Sequence, residues 1–432
     1  MKICIIGAGV VGSYIARKLS QEGYDIAIID KDKEKIEDIQ RTLDVASYNC
    51  DAFSEGCIEH LQDYDLFVVV TNNDAINLSI ALMLKAVFKK DKILVRIDEE
   101  ILSKSEIENF LGIEIVNAFN EIIKNIETVI RYPFMEFFNE FEQGRFLIFS
   151  YKVSNEDGFV NRSISEFNAI REEIPFTIAL IERDGKVYIP SGKKVLLKDD
   201  IIYVLLEKKY LDDFIEKFKI QNKPVKTIHF LGLSRRGFGI IKRLSQQGNF
   251  QIKVYEPDIK LCEKAAEEFP DVTVIHTKLV DEETLKSEGI GEADLVISAS
   301  YREENILACM LAKRLGAKKV LALLEHPEYE DMARILGIDI PLIARKILAR
   351  RVYRRIRHKG LVDTFELIKN IDVSEIPVDK KKAGKKVEEI SSGNFVILGI
   401  KRYDQMYIAK GNTVLEEGDI LIVLEKEEDE EL

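Results

Sequence analysis

Short apolar runs alternate with amphipathic segments along the first part of the chain. The apolar runs have the length of strands, namely Lys2–Ile6, Asp25–Ile29, Leu66–Val70 and Ile93–Ile97. Between them the apolar positions recur with helical spacing, as in Val10–Leu19 and Ala75–Val87. Strands that alternate with helices in this way are typical of a parallel sheet covered by helices on both faces. We therefore predict a Rossmann-like, doubly wound α/β domain.

The hydrophobic rhythm changes near residue 133. Shorter apolar runs with turn residues between them follow, at Phe176–Glu182, Val187–Pro190 and Ile201–Leu206. This pattern is typical of a small α+β domain with antiparallel strands. The segment Lys219–Lys226, which contains Pro224, has the composition of a linker.

The same order of features occurs twice in the chain. Gly7 and Gly12 recur as Gly232 and Gly237, 225 residues further on. Three residues of the small domain also recur, each 219 residues further on, so that Arg183, Tyr188 and Asp200 match Arg402, Tyr407 and Asp419. Because the order is kept throughout, one duplication explains all of these matches. We predict two tandem units, with Rossmann-like nucleotide-binding domains at residues 1–133 and 225–360 and small α+β domains at residues 134–224 and 361–432.

A glycine-rich segment follows the first predicted strand and opens the first predicted helix, and it reads Gly7-Ala8-Gly9-Val10-Val11-Gly12. Gly7 permits a tight turn, Gly9 lets the backbone approach a phosphate, and Gly12 lets the helix pack closely on the strand. The helix N-terminus adds free N–H groups that attract phosphates. The spacing therefore predicts a nucleotide site.

An acidic residue, Asp30, ends the second predicted strand. A carboxylate at this position can accept hydrogen bonds from ribose hydroxyls, and it repels a 2′-phosphate. We therefore expect NAD or another adenine nucleotide rather than NADP. The alternative is a glycine turn without a ligand, with Asp30 serving as a helix cap.

Further polar residues follow the predicted strands at their carboxyl ends, where ligands bind in open α/β sheets. They are Asp51, Thr71, Asn72, Asp74 and Arg96. For Thr71 and Asp74 a helix-capping role is an equal alternative. Arg96 lies in an otherwise apolar strand, where a guanidinium needs a partner, and we expect a phosphate to be that partner.

The second half departs from this pattern. Its glycine segment has Ser234 in place of the middle glycine and brings Arg235 and Arg236 into the loop, while Glu256 keeps an acid at the ribose position. The counterpart of the Arg96 strand, Val320–Leu324, contains no arginine. We predict a second, weaker candidate site that is empty or holds a different anion, formed by Gly232, Ser234, Arg235, Gly237 and Glu256.

A basic run extends from Arg345 to Lys359 and contains eight Lys and Arg residues among apolar residues at helical spacing. One interpretation is contact with anionic lipids, nucleic acid or an acidic partner. The other is an amphipathic helix whose apolar stripe packs against a neighbouring subunit. The first-half counterpart, Asn117–Arg131, keeps the apolar stripe with few basic residues, which favours packing.

Composition narrows the class of protein. The net charge of -12 argues against nucleic acid as a partner. No apolar run reaches the length of a membrane span, and Ile3–Ile6 is too short for a signal-peptide core, so we expect a cytoplasmic protein.

The five cysteines form no C-x-x-C pair, and we expect reduced, buried thiols without a disulfide or metal site. No cluster indicates a catalytic residue, since His60 is far along the chain from the glycine loop, and we predict no enzymatic activity.

The first half resembles an RCK unit (regulator of potassium conductance), and two such units in tandem resemble the TrkA family of regulatory subunits of Trk-type potassium uptake systems. The residues that carry the resemblance are the glycine segment, Asp30, Asp51-Ala52, Thr71-Asn72-x-Asp74-x-x-Asn77, Arg96 and Leu197-x-Asp199-Asp200-x-Ile202. The resemblance implies a first N-domain that binds NAD, NADH, ATP or ADP. The roles it implies are phosphate binding by Gly7, Gly9 and Gly12, ribose binding by Asp30, contact with the adenosine end by Asp51, lining of the pocket by Thr71, Asn72 and Asp74, and contact with a terminal phosphate by Arg96.

The same resemblance implies partners. It implies a homo-oligomer, a tetramer of two-unit chains in an eight-unit ring, bound to the cytoplasmic face of a membrane pore subunit for potassium. Nucleotide exchange in the ring would gate the flow of potassium. The residues alone leave three alternatives, which are an NAD-dependent oxidoreductase, a nucleotide-sensing DNA-binding regulator, and the same ring on a potassium efflux channel or antiporter.

Overall fold

The computed structural model describes the chain except residues 22, 55, 58–62, 100–101, 103–104, 142–143, 249, 301–303, 325, 357–364, 369–370, 391–394, 404 and 427–432. His60 and the end of the basic run after residue 356 lie outside the described residues. The chain divides into two compact units, one of Met1–Ile130 with Val225–Arg357 and one of Arg131–Pro224 with His358–Leu432. Each unit combines a segment from each half of the duplicated sequence.

The first unit contains two parallel sheets with the same topology. In the described part of the chain each sheet has six strands. The strands of the first sheet are β1 Lys2–Ile6, β2 Asp25–Asp30, β3 Ala46–Asn49, β4 Leu66–Val69, β5 Lys92–Arg96 and β6 Glu114–Val116. Those of the second are β12 Thr227–Leu231, β13 Gln251–Glu256, β14 Thr273–His276, β15 Leu295–Ser298, β16 Val320–Leu324 and β17 Ile340–Ile343. The strand orders are β3-β2-β1-β4-β5-β6 and β14-β13-β12-β15-β16-β17.

Helices cover both faces of these sheets. In the first N-domain they are Val10–Gln21, Lys33–Thr42, Asp74–Ala86, Ser105–Leu111 and Ala118–Arg131. In the second they are Arg235–Ser245, Ile259–Glu268, Glu282–Ser287, Glu304–Leu315, Tyr329–Ile335 and Ala344–Ile356. The central strands are nearly continuous apolar runs because both of their faces are buried, as for Ile3, Cys4 and Ile5, which are 0% exposed. The predicted Rossmann-like α/β fold is confirmed.

The duplication extends to side-chain contacts. Asp65 accepts a hydrogen bond from the Lys2 N–H at the start of β1, at 2.9 Å. Its counterpart Asp294 accepts hydrogen bonds from the Lys226 and Thr227 N–H groups at the start of β12, at 2.7 and 3.0 Å. In each half the carboxylate therefore anchors the first strand of the sheet.

The last helix of each N-domain packs against the other N-domain. In the second crossing helix, Ala344–Ile356, the buried residues Leu348 and Val352 join the core that Ile15 and Leu19 form in the first N-domain. In the first crossing helix, Ala118–Arg131, the Phe119 ring packs directly on Gly239 of the second N-domain. A Cβ added to Gly239 would lie only 2.6 Å from Phe119 Cζ.

The apolar stripe predicted in the basic run is therefore covered by the other half of the same chain. The expectation that this stripe packs against a neighbouring subunit was wrong for Leu348 and Val352, which lie in the first N-domain core. Helical amphipathicity predicts that a face is buried, but it does not identify the partner that covers it.

The second unit contains two antiparallel sheets. The strands of the first are β7 Phe138–Phe141, β8 Phe146–Lys152, β9 Phe176–Arg183, β10 Lys186–Tyr188 and β11 Ile201–Glu207. Those of the second are β18 Phe365–Ile368, β19 Ile371–Pro377, β20 Phe395–Arg402, β21 Gln405–Ile408 and β22 Ile420–Lys426. The strand orders match, as β10-β9-β11-β8-β7 and β21-β20-β22-β19-β18. The α-helices of this unit are Asn168–Glu173, Leu211–Lys217 and Val387–Ile390. Side chains of both sheets share one apolar cluster, which includes Ile148, Leu180, Leu398 and Ile422. In each of the two small α+β domains, an arginine donates hydrogen bonds from two nitrogens to a buried aspartate. The pairs are Arg183 with Asp200 and Arg402 with Asp419.

A disulfide corrects the prediction that all cysteines are reduced. Cys50 and Cys57 are bonded, with their Cα atoms 5.7 Å apart, and the other cysteines, Cys4, Cys262 and Cys309, are free and buried. The turn after β3 brings the pair together, with a Ser54 to Asp51 backbone hydrogen bond of 2.9 Å inside the loop. The two cysteines are seven residues apart in the sequence, a spacing that the C-x-x-C pattern does not include.

In the described part of the chain, no helix is both long enough and apolar enough to cross a membrane.

Candidate nucleotide site

The glycine loop of the first N-domain has the geometry that its spacing predicts. Gly7 has a φ of 113°, and a Cβ there would lie 3.0 Å from the Thr71 backbone nitrogen. A Cβ on Gly12 would lie 1.8 Å from the Gly7 carbonyl oxygen, so only glycine fits where the helix approaches the strand. Around Gly9, in contrast, a Cβ would meet nothing within 4 Å. The loop therefore has open space at the position where a phosphate would approach the backbone, beside Val10 and Val11 at the start of the helix.

Asp30 binds the loop from the end of β2. Its Oδ2 accepts a hydrogen bond of 2.7 Å from the Ala8 N–H, and its Oδ1 accepts one of 2.9 Å from the Asp32 N–H. Asp32, rather than Asp30, caps the following helix by accepting from the Glu34 N–H at 3.1 Å. Each carboxylate oxygen has a second lone pair, so these bonds leave acceptor capacity for ribose hydroxyls.

Asp51 follows β3 on an exposed turn. Its Oδ1 accepts a hydrogen bond of 2.9 Å from the Phe53 N–H. The preceding Cys50 donates its N–H to the Asp30 carbonyl oxygen at 3.2 Å, so Asp51 lies beside Asp30 along the same edge of the sheet.

Thr71 and Asp74 have their own contacts at the ends of β4 and β5. The Thr71 N–H donates to Asn77 Oδ1 at 3.0 Å, and the buried Asn77 donates to the Arg96 carbonyl oxygen at 2.9 Å, which ties the two strand ends together. Asn73 is the residue that caps the helix Asp74–Ala86, by accepting from the Ile76 N–H at 3.0 Å. Asp74 instead accepts from the backbone N–H groups that follow β5.

Arg96 is a buried guanidinium with partners inside the protein. It donates to Asn72 Oδ1 at 3.0 Å and to Asp98 Oδ2 at 2.7 Å. Asp98 also receives Arg236 of the second N-domain, whose Nη2 lies 3.2 Å from the same oxygen. Burial by itself raises the pKa of the Asp98 carboxyl, but the hydrogen bonds and charges of Arg96 and Arg236 outweigh it and hold the pKa below its ordinary value.

Two adjoining cavities lie at this point, and residues of both N-domains line each of them. The first has a volume of about 250 Å³ and is lined by Asn72, Arg96, Ala118, Arg236, Ala344, Arg345 and Leu348. The second has a volume of about 680 Å³ and is lined by Asn72, Asn73, Asp74, Ala75, Asp98, Glu99, Leu102, Phe119, Ser234, Arg235, Arg236 and Gly239. Of the residues predicted for the first site, Asn72, Asp74 and Arg96 therefore line the cavities. The glycine loop, Asp30 and Asp51 are not among the lining residues, but they lie along the same carboxyl edge of the sheet as Arg96.

Side chains make hydrogen bonds within the second glycine loop, although Ser234 also lines the second cavity. The Ser234 hydroxyl donates to the Ala299 carbonyl oxygen at 2.6 Å and accepts from the Gly237 N–H at 3.2 Å. A Cβ on Gly232 would lie 2.7 Å from Ser300 Oγ. Glu256 is 0% exposed and accepts from the Leu233 N–H at 2.6 Å, which matches the Asp30 bond in the first half. The departures from the glycine pattern thus place protein atoms close around this loop.

The sequence prediction did not include Asp98 and did not connect Arg236 or Arg345 to the first site. The signal for Asp98 was the acidic pair Asp98-Glu99 directly after a strand that carries a buried arginine. The arginines belong to the second half, and only the packing of the two N-domains brings them to Arg96. Their meeting follows from tertiary structure and from no local motif.

The fold defines a duplicated protein in which each half has a Rossmann-like domain and a small α+β domain. The family models agree, since the TrkA-N domain matches residues 3–117 and 228–343 and the TrkA-C domain matches residues 148–219 and 373–431. These matches cover most of the sequence, and the chain belongs to the TrkA family.

Curated relatives match along nearly their whole length. The chain is 26% identical to the Trk system potassium uptake protein TrkA of Vibrio alginolyticus, over 98% of this chain and 95% of that protein. It is 27% identical to the Trk system potassium uptake protein TrkA homolog of Archaeoglobus fulgidus, over 99% and 97%. Among solved structures, the GsuK RCK domain matches with a TM-score of 0.59 at 16% identity, over 99% of this chain and 92% of that one. The structure titled GsuK channel bound to NAD matches with a TM-score of 0.59 at 18% identity, over 99% and 77%.

Proposed function

We propose that this chain is a cytoplasmic, nucleotide-binding regulatory subunit that gates a membrane potassium uptake transporter, and that it is not an enzyme. The observation that carries the proposal is the open space at Gly9 in the first glycine loop, at the same carboxyl edge of the sheet as Arg96 and the arginine-lined cavity that both N-domains build. The relatives indicate which transport system this chain would regulate, because they are named Trk system potassium uptake proteins. Among GsuK structures that share the fold, one is bound to NAD and another is bound to ADP.

The geometry suits a nucleotide whose adenosine end lies beside Asp30 and Asp51. Its phosphates would then lie at the open backbone of Gly9, and its far end would extend toward Arg96. Arg236 and Arg345 of the second N-domain line the same cavity. A ligand shifts a conformational equilibrium only when it binds the two states unequally. A phosphate end that contacts residues of both N-domains would meet this condition, since any change in their packing would change its contacts.

Exposed apolar side chains at matching positions support a homo-oligomer. Phe110 is 88% exposed and its counterpart Ile335 is 84% exposed, each at the end of a helix of its N-domain. A single exposed apolar side chain is common on a protein surface, so the equivalent position in the two halves carries the argument. Because both halves carry one, we propose the assembly of four chains into an eight-unit ring on the cytoplasmic face of the pore subunit.

Calorimetric titration of the purified chain with NAD, NADH, ATP and ADP tests the nucleotide site. We expect one nucleotide per chain, without turnover. Gly9→Ala is the matched variant, because its added methyl group has open space in the ligand-free protein and would obstruct a bound phosphate. It should keep the thermal stability of the wild type and lose affinity by about tenfold or more, which corresponds to about 1.4 kcal/mol. Absence of binding to all four nucleotides, or equal affinities in Gly9→Ala, would remove the nucleotide site from the proposal.

Potassium uptake into vesicles that contain the pore subunit tests the regulatory role. The preferred nucleotide should change the uptake rate when the wild-type chain is present. The change should be absent with Gly9→Ala at the same concentration. Uptake that responds to neither chain would leave a nucleotide-binding protein without this regulatory function.

A further inference from the structure

A carboxylate of the chain itself, Asp98, lies between two arginines that line the first cavity. Asp98 Oδ2 lies 2.7 Å from Arg96 Nη2 and 3.2 Å from Arg236 Nη2. A single carboxylate oxygen thus receives guanidinium donors from the first and the second N-domain. Two guanidinium groups that converge on one oxygen are also the arrangement that binds a phosphate oxygen.

This cluster is shielded from solvent. The exposed fractions of the side chains are 9% for Arg96, 22% for Asp98 and 24% for Arg236. Charges in such surroundings interact more strongly than exposed ion pairs, which contribute little. The neighbouring pair of Arg235 and Glu99 provides the contrast, since its side chains are 72% and 44% exposed although the atoms are only 2.6 Å apart.

The protein holds Asp98 in this position through its backbone. The Asp98 N–H donates to Asp74 Oδ2 at 2.9 Å, and the Glu99 N–H donates to the same oxygen at 2.7 Å. Asp98 is therefore anchored at the end of β5, beside the cavity that Arg96 and Arg236 line.

We propose that Asp98 is a built-in counter-ion that competes with a terminal nucleotide phosphate for Arg96 and Arg236, and that it thereby biases the site toward NAD or NADH and against ATP or ADP. This inference rests on the proposed nucleotide site. The two phosphates of NAD are internal, each linked to a ribose and to the other phosphate and carrying one negative charge, whereas ATP and ADP end in a phosphate that carries up to two. A terminal phosphate must displace the carboxylate or share the arginines with it, and like charges at such separations repel.

The decisive variant is Asp98→Asn, which keeps the shape of the side chain and removes its charge. Its matched control is Glu127→Gln, which removes the same charge from an exposed pair with Arg243 that also joins the two N-domains but lines neither cavity. We expect Asp98→Asn to bind ATP about tenfold more tightly than the wild type while its affinity for NADH changes by less than about threefold. Glu127→Gln should leave both affinities within about threefold, because its ion pair is exposed to solvent.

A second readout needs no nucleotide. In Asp98→Asn the charge of Asp98 no longer offsets the two arginines, so inorganic phosphate should raise the midpoint of thermal unfolding more than it does in the wild type and in Glu127→Gln. A merely structural role for Asp98 predicts the opposite pattern, in which the arginines lose their orientation, ATP binds more weakly and phosphate has no added effect.

The outcomes separate the two proposals. A higher ratio of ATP to NADH affinity in Asp98→Asn supports the counter-ion. An unchanged or lower ratio, with nucleotides still bound, overturns the counter-ion and leaves the nucleotide site standing. Failure of the wild type and of every variant to bind any nucleotide overturns both.

Discussion

His229 lies at the centre of the second parallel sheet and makes the stability of that domain depend on pH. Its side chain is only 5% exposed, and Nδ1 is 3.1 Å from the Tyr255 hydroxyl. Burial lowers its pKa from 6.5 to about 4, with a further lowering from Lys253 that Glu288 partly offsets. The folded domain therefore holds this imidazole neutral over a range in which the unfolded chain binds a proton.

The sign and size of the effect follow from this difference. The stability contribution is fully present above pH 6.5, and it is lost progressively as the pH falls toward 4, since the unfolded state then binds more protons than the folded state. At 1.36 kcal/mol for each pKa unit, the full loss is about 3 kcal/mol.

The first half of the chain suggests the matched variant, because the buried Cys4 occupies the position equivalent to His229. Urea unfolding followed by circular dichroism, from about pH 7 to about pH 4.5, should show that His229→Cys loses about 2 kcal/mol less free energy of unfolding than the wild type. Tyr255→Phe, which removes the hydrogen bond and keeps the imidazole, should retain the wild-type slope. The same slope in His229→Cys and in the wild type would refute the reasoning, because the buried imidazole would then not be the source of the pH dependence.

Three further predictions concern the core, the glycine loop and the disulfide. Leu348→Ala should lower the free energy of unfolding of the N-domain unit by about 2–5 kcal/mol in urea titrations, since Leu348 is 1% exposed in the first N-domain core although it belongs to the second. Gly12→Ala should lower the melting temperature and abolish nucleotide binding together, because its Cβ would lie 1.8 Å from the Gly7 carbonyl oxygen. In denaturant, thiol titration of chain kept oxidised should detect three thiols before reduction and five after it, and Cys57→Ser should destabilise the oxidised chain by about 2 kcal/mol through loss of the short loop closed with Cys50.

The fold could be predicted from the sequence because each central strand is buried on both faces. A strand such as β1 must then be apolar at every position, and the helices between strands must be amphipathic, so the alternation is visible without tertiary information. The glycine spacing was equally informative, because Gly7 and Gly12 are required by backbone geometry within one turn. These features depend on residues that are close in sequence.

The missing part of the candidate site depends on residues that are far apart in sequence. Arg236 reaches Asp98 only because the two N-domains pack together through their crossing helices, and an amphipathic stripe does not specify that partner. The sequence predicts that Arg96 needs a partner, and a phosphate was the expected one. The structure supplies Asp98 as a partner in the protein itself, which no spacing rule relates to Arg236.

The two halves have diverged into different roles at a shared cavity. The first-half counterparts of Arg235 and Arg236 are Val10 and Val11. Val11 is only 3% exposed, in the core of its own domain. The second loop has lost its middle glycine, and Ser234 and the buried Glu256 make their hydrogen bonds within the domain. The same loop has gained arginines that line the cavity of the first half. Because the second loop has arginines where the first has valines, positive charge is concentrated at the cavities that both N-domains line. The proposed binding of one nucleotide per chain follows from this asymmetry, because one half retains the open loop and the other supplies charge to its far end.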